Sequence, residues 1–486
     1  MEHKNIWASY SAKQLKELES ICDEYKDFIS EAKTERLCVD KAIKDAKKAG
    51  FRDLNASIKS GKKLKTGDKF YVDHMGKTLI LGIIGKDSLA NGINILGAHI
   101  DSPRMDLKPK PLYEASDLAY LDTHYYGGIK KYQWVTVPLA LYGVIAKKDG
   151  TIVNVAIGDD PKDPVFCVTD LLIHLAGKQM NKKASVVVEG EALDVLFGGR
   201  PSKNKYGKEK DKKSKKTKAE DEKETVKANV LNILKEKYDI EEEDFLSAEI
   251  EVVPAGRARD LGIDRSMVIG YGQDDRVCAF TSYKAILDVD VPKKTALCIL
   301  TDKEEIGSVG ATGAESRFFE DTMAEVLALT DTKVGVGKNE SFDLVLRRCL
   351  RNSCVLSSDV SAGLDPCYKA AFEEKNAAFL GRGICFNKYT GARGKSGSND
   401  ANAEYVGKIR QIMEEGKVSF QTAELGKVDE GGGGTIAYIL ANYGMNIIDS
   451  GVAVLSMHSP WEVSSKADIY EAYRCYKVFL DKMDMR

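Results

Sequence analysis

Asp302-Lys303-Glu304-Glu305 closes the apolar run Ala296-Leu297-Cys298-Ile299-Leu300. Two adjacent acids at a strand end can do two jobs, because successive side chains there point in opposite directions. One glutamate can hold a metal while the other faces a substrate as a base. Taken alone, such a pair also describes a solvated turn. Three further runs end in the same kind of residue. Ile93-Asn94-Ile95-Leu96-Gly97-Ala98-His99 is followed by Asp101, Cys354-Val355-Leu356-Ser357-Ser358 runs into Asp359, and Gly451-Val452-Ala453-Val454-Leu455-Ser456-Met457 ends at His458. Each is short and apolar, which predicts a buried strand of a parallel sheet. In open α/β sheets, sites form beyond the carboxyl ends of the strands. Two histidines, an aspartate and a glutamate are therefore expected to converge, although the sequence scatters them.

A fifth candidate is Asp274 in Gly270-Tyr271-Gly272-Gln273-Asp274-Asp275-Arg276, ahead of a stretch with helical apolar spacing, Val277 to Leu287. Read locally, Asp274 or Asp275 serves equally as a helix N-cap. A carboxylate at such a junction is also placed to bridge two cations. Two histidines and three carboxylates suit a pair of zinc-like divalent ions.

With these residues in hand, the chain resembles the aspartyl aminopeptidase-type dinuclear zinc metallopeptidases, a family of tetrahedral dodecameric aminopeptidases. The resemblance lies in Gly97-Ala98-His99-Ile100-Asp101-Ser102-Pro103-Arg104, Gln273-Asp274-Asp275-Arg276, Asp302-Lys303-Glu304-Glu305-Ile306-Gly307-Ser308, Ser357-Ser358-Asp359 and Ser456-Met457-His458-Ser459. Their order and spacing extend it over nearly the whole chain. It implies that His99 and Asp359 hold one ion, that Glu305 and His458 hold the other, and that Asp274 bridges them. It also implies that Glu304 is the general base and that Asp101 orients His99. The implied activity is removal of the N-terminal residue from peptides with a free N-terminus. Zinc is the implied metal, and cobalt and manganese also suit histidine and carboxylate ligands. The resemblance further implies an α/β fold, a mixed central sheet flanked by helices, with an inserted β-rich domain for dimerisation. His174, in Leu171-Leu172-Ile173-His174-Leu175 of that insert, would then reach a neighbouring subunit's substrate carbonyl as a donor. Dimer units would assemble into a closed dodecamer. Two alternatives stay open: a related metal-dependent carboxypeptidase or deacylase, and a non-catalytic scaffold on the same fold.

The elements that position these residues are legible in outline. The chain has 486 residues, enough for two or three domains. Residues 11 to 50 have helical apolar spacing, with Leu15, Leu18, Ile21, Cys22, Tyr25 and Ile29 on one stripe. The catalytic domain is expected over 1–104 and again over 257–486. The intervening 105–256 carries short β-rich runs, Gln133 to Ile145, Thr151 to Ile157 and Ala184 to Glu189, and no metal-ligand motif. Within it, 203–227 holds eleven lysines against six acids, which predicts a solvated loop.

Net charge is −2 and a single aromatic residue, Tyr206, falls in the lysine run, too little stacking surface for a nucleic-acid partner to be expected. No apolar run approaches membrane-spanning length. Ten scattered cysteines without a Cys-x-x-Cys pair point to a reducing compartment, and the cytoplasm is the expected location. Gly431 to Gly434, ahead of Thr435, reads either as a flexible turn or as a loop lining the site. In acid-preferring relatives a lysine stands where Cys385 stands here, and the stretch after Asp359 lacks an expected histidine. Strict selectivity for acidic N-termini is therefore not expected. Arg382, Lys388 and Arg393 are the cations that could substitute.

Overall fold

Alternation of side chains along the apolar runs decides the layering. In the 94–99, 296–301 and 354–358 segments, Ile95, Leu297, Ile299 and Val355 belong to one apolar layer. Their neighbours Leu96, Cys298, Leu300 and Leu356 belong to another. A strand buried on both faces must be covered twice. The computed structural model, which describes residues 4–202, 225–331 and 333–485, shows both covers. Helices Phe318–Leu329 and Phe342–Arg351 close the first layer. Helices Ala12–Glu31, Gln273–Leu287 and Lys466–Lys482 close the second. Truncating one of these core side chains, Leu356 for instance, to alanine carries the usual cost of about 2–5 kcal/mol.

The chain divides into two units. Met1–Ser102, Arg257–Met457 and Trp461–Arg486 form the first, and Pro103–Gly256 with His458–Pro460 the second. Among the described residues of the first unit, nine strands make one sheet. Their order is Arg52–Asp53, Lys69–His74, Thr78–Ile83, Ala296–Thr301, Asn94–His99, Cys354–Ser358, Asn446–Gly451, Ile384–Asn387, Phe420–Thr422. The four central strands, 296–301, 94–99, 354–358 and 446–451, run parallel, so their carboxyl ends share one edge. The pairings 78–83 with 296–301, 69–74 with 78–83, and 384–387 with 446–451 are antiparallel. The fold is thus α/β with a mixed central sheet flanked by helices.

The first helix starts where local chemistry dictates. Ser11 Oγ accepts from Gln14 N, and Gln14 Oε1 accepts from Ser11 N, a reciprocal capping box. Its stripe from Leu18 to Ile29 is buried as expected, whereas Leu15 is 37% exposed.

The run from Gly451 to His458 departs from the expected single strand. Gly451 ends a strand of the nine-stranded sheet, and Ala453–Leu455 joins a separate five-stranded sheet beside Glu462–Ser465 and Ser361–Ala362. At Gly451 a Cβ would come within 1.9 Å of the Asp359 carbonyl oxygen. The backbone therefore hugs the neighbouring chain before changing sheets, and a uniformly apolar run carries no mark of that switch.

The second unit contains a seven-stranded antiparallel sheet in the order Ile152–Ile157, Leu139–Ala146, Ala248–Pro254, Arg104–Ala115, Leu118–Tyr126, Val195–Gly198, Cys167–Val168. Two runs read as β-rich are shorter or absent as strands. The Gln133 end falls in the 3-10 turn Lys131–Gln133, and the strand starts only at Leu139, after Pro138. Ala184–Val186 is a 3-10 turn. Proline has no N–H to donate to a ladder, and apolar alternation does not by itself supply a partner strand. The lysine-rich stretch lies outside the described residues as far as 224; from Thr225 the chain is helical to Tyr238.

Candidate active site

The parallel register brings the expected residues to one edge. His99 is opposite Thr301, and Gly97 is opposite Ser357, so Asp359, two residues on, is level with His99. His99 is buried. Its Nε2 lies 3.3 Å from Asp274 Oδ1, 3.9 Å from Glu304 Oε2 and 4.0 Å from Asp359 Oδ1. Two overlapping groups have ligand atoms within 4.8 Å of one another: His99, Asp274 and Glu305, and His99, Asp275 and Asp359. Imidazole and carboxylate donors at that spacing are the set a zinc-like ion takes.

Each member is held by its own local structure. Lys303 adopts a left-handed backbone, φ 71°, and turns the chain into the 3-10 segment Glu304–Ile306. The two glutamates therefore diverge because a 3-10 turn separates successive side chains by about 120°. Strand alternation, the expected cause, is not what separates them. Asp101 ties this turn to the 94–99 strand: its Oδ1 accepts from Glu304 N and its Oδ2 from Glu305 N, each at 3.2 Å. His99 Nδ1 donates to the Asp101 backbone carbonyl at 3.1 Å and lies 3.4 Å from the carboxylate. Asp101 thus touches the imidazole and the backbone of both glutamates, of which the sequence reading anticipated only a contact with His99.

Asp274 and Asp275 open helix Gln273–Leu287, whose N-cap position, Gly272, makes no side-chain cap. Both have non-helical dihedrals. Asp274 N donates to Glu462 Oε2, and its carbonyl accepts from Ser102 Oγ at 2.6 Å. Neither acid serves as the N-cap. Asp275, which sequence reasoning weighed only as a cap, joins His99 and Asp359 in the second group; its sole signal is adjacency to Asp274.

Charge at this edge is concentrated and dry. Burial alone would lower the His99 pKa. Hydrogen bonds with Asp101 and Asp274 and the charge of Glu304 nevertheless hold it well above the usual value. Burial pushes the Asp275 and Asp359 carboxyls well up; the charge of Asp274 raises both further, and Asp275 and Glu304 also raise Asp359. Carboxylates gathered out of water in this way need protons or cations between them.

Two expected residues belong to the second unit. His458 has a left-handed backbone, φ 64°, and its Nδ1 donates to the Gly128 carbonyl at 2.8 Å. That tautomer leaves the lone pair on Nε2, the form an imidazole ligand takes. His458 is in neither ligand group found among the described residues. His174 is exposed in the 3-10 turn Ile173–Leu175, between Ile173 and Leu175, each 68% exposed.

Around the first unit's site, Thr435 follows the glycine run and its Oγ1 donates to Asp449 Oδ1 at 2.7 Å. Gly433 O accepts from Gly391 N at 2.7 Å. Cys385 is buried, its Sγ 3.3 Å from Asn387 Oδ1. Two of the three candidate cations are otherwise engaged: the Arg382 guanidinium lies 3.8 Å over the Phe379 ring, and Lys388 Nζ is 3.5 Å from Asp400.

An α/β fold with a buried histidine–carboxylate cluster at the carboxyl edge of its parallel strands, and a glutamate beside it, defines a metal-dependent hydrolase. Residues 28–480 match the model of the family described as aminopeptidase I zinc metalloprotease (M18). A probable M18 family aminopeptidase 1 of Clostridium acetobutylicum is 58% identical over 480 residues, 99% of this chain and 98% of that one. The crystal structure of an M18-family aminopeptidase from Thermotoga maritima superposes with a TM-score of 0.90 at 43% identity, over 99% of this chain and 100% of that one. A more distant structure, the S. cerevisiae mApe1 dodecamer, shares the fold at 20% identity, with a TM-score of 0.72 over 95% of this chain and 96% of that one. The chain belongs to the M18 family, and it is a metal-dependent aminopeptidase.

Proposed function

We propose that this aminopeptidase works through a two-cation site in which Glu304 moves the proton. The observation that carries the reading is the pair of ligand groups sharing His99, with Glu304 Oε2 3.9 Å from its Nε2. The donor set fits divalent cations: it is buried, rich in carboxylates and built around one imidazole. His99 and Asp359 would hold one ion, Glu305 and His458 the other, and Asp274 would lie between them. Zinc is the metal of the family, with cobalt and manganese suited to the same donors. Such ions supply Lewis acidity to a carbonyl and to water. Glu304 accepts the proton of the attacking water and returns it to the leaving amine. Asp101 keeps Glu304 and Glu305 in place through their backbone N–H groups. The acidic cluster favours a substrate that brings a positive charge, here the free N-terminus of a peptide.

The same reading extends to specificity and assembly. With Cys385 buried, Arg382 stacked and Lys388 beside Asp400, strict selectivity for acidic N-termini is not expected. The exposed apolar segment around His174 favours a homo-oligomer in which a second copy covers it. There His174 would serve the neighbouring site, in dimer units built into a dodecamer. Eight of the ten cysteines are buried and all ten are unpaired, which supports a reducing compartment such as the cytoplasm. No helix among the described residues is long and apolar enough to cross a membrane.

The test is metal content against activity. Metal-free protein reloaded with zinc, cobalt or manganese should bind two ions per chain and release N-terminal residues from free but not N-acetylated peptides. Full activity with a single ion bound would refute the two-cation reading.

A further inference from the structure

We propose that Asp275 is a positioning residue for the cation between His99 and Asp359, its carboxylate tightening metal binding through charge. The inference rests on the reading of this cluster as a metal site. Asp275 is fully buried, and neither of its oxygens has a hydrogen-bond partner of standard geometry. The backbone N–H of His99 and the Cys278 thiol lean towards it without meeting that geometry. Its oxygen, a ring nitrogen of His99 and an oxygen of Asp359 lie within 4.8 Å of one another.

The ordinary uses of such an acid are missing. Asp275 caps no helix: its backbone is non-helical at φ −112° and ψ 25°, and the helix makes no side-chain cap at its start. The adjacent Arg276 directs its Nε to the Ile100 carbonyl and lies 5.1 Å over the Tyr271 ring. An acid kept for the fold alone is surrounded by donors. An acid held dry, beside an imidazole and a second carboxylate, is costly until a cation arrives. Metal binding then recovers that cost, so the residue couples affinity to the folded pocket.

This predicts opposite effects of one substitution on two readouts. Asp275→Asn keeps the shape and removes the charge. In metal-free protein its thermal midpoint should equal or exceed that of the wild type. Titration with zinc against a chromophoric chelator should show affinity down by about tenfold to a hundredfold, the range typical of groups that support metal ligands. Asp275→Ala should lose affinity to a similar degree. If asparagine restored the binding that alanine loses, the residue would act by shape and hydrogen bonding, and the inference would fall. A lower midpoint for metal-free Asp275→Asn would overturn it too. Failure of the wild-type protein to bind zinc would instead overturn the reading of the site itself.

Discussion

Replacing Asp449 with asparagine should stabilise the protein, and by more at neutral pH than in mild acid. Asp449 is buried within the 446–451 strand, and burial pushes its carboxyl up to about 6 from 3.8, against the opposing hydrogen bond of Thr435 and the nearby Ser357 hydroxyl. The sign follows from linkage. Below about 4 the group is protonated in both folded and unfolded chains. Between 3.8 and about 6 the folded chain keeps a proton that the unfolded chain releases, so stability falls as pH rises through that window. Above it the whole penalty is present. At 1.36 kcal/mol per pH unit, the gap is worth about 3 kcal/mol at pH 7.5 and roughly half of that at pH 5. Asparagine removes this penalty while its Oδ1 still accepts from Thr435 and its amide faces Ser357. With an unfolding entropy of about 2.1 cal/mol/K per residue, a chain of this size should gain about 3 °C in Tm at pH 7.5. Calorimetry on metal-free protein at pH 5 and 7.5 measures it. A loss of stability at both values, or a gain independent of pH, would refute the reasoning.

Glu304→Gln should retain its metal and lose turnover by orders of magnitude, seen as intact stoichiometry with a collapsed kcat. If Asp274 serves both ions as proposed, Asp274→Ala should lose metal; stoichiometric metal in that variant counts against the bridging assignment. Subunits carrying His174→Ala, mixed with Glu304→Gln subunits under exchange, should recover activity above either parent if the histidine acts across an interface; verified mixed oligomers without recovery rule that out. A panel of aminoacyl substrates should show neutral N-terminal residues cleaved at rates comparable to acidic ones, and a strong preference for Asp and Glu by kcat/KM would point to a cation in the pocket.

The central strands are legible because burial on both faces leaves continuous apolar runs, and His99 and Asp359 stand out as the polar residues that end them. Glu304 and Glu305 are visible for the same reason, but the turn that separates them depends on a left-handed Lys303, which no side-chain pattern marks. Asp101 is recognisable as a companion of His99. Its second task, accepting from two backbone N–H groups, depends on a loop about 200 residues away. Asp275 is masked by its position: an acid ahead of a helix reads as a cap, and only the backbone dihedrals of the folded chain remove that reading. The Gly451 to His458 run misleads because hydrophobicity reports burial and is silent about which sheet does the burying. In the second unit, alternation overstates the strands wherever a proline or a missing neighbour prevents pairing.

The place of the 94–99 strand in the sheet has a consequence for how the protein is made. Both of its neighbours, 296–301 and 354–358, lie later in the chain. At roughly 5–20 residues per second, the ribosome takes about 10–40 s to travel from the first strand to the nearer of them. Throughout that time an apolar strand with two open edges waits, a template for wrong pairing. Demand on chaperones should therefore be greatest while the residues after Ser102 are emerging. On the proposed ligand assignment, the histidine synthesised first must also wait for Asp359, which would make metal capture a late event in biogenesis.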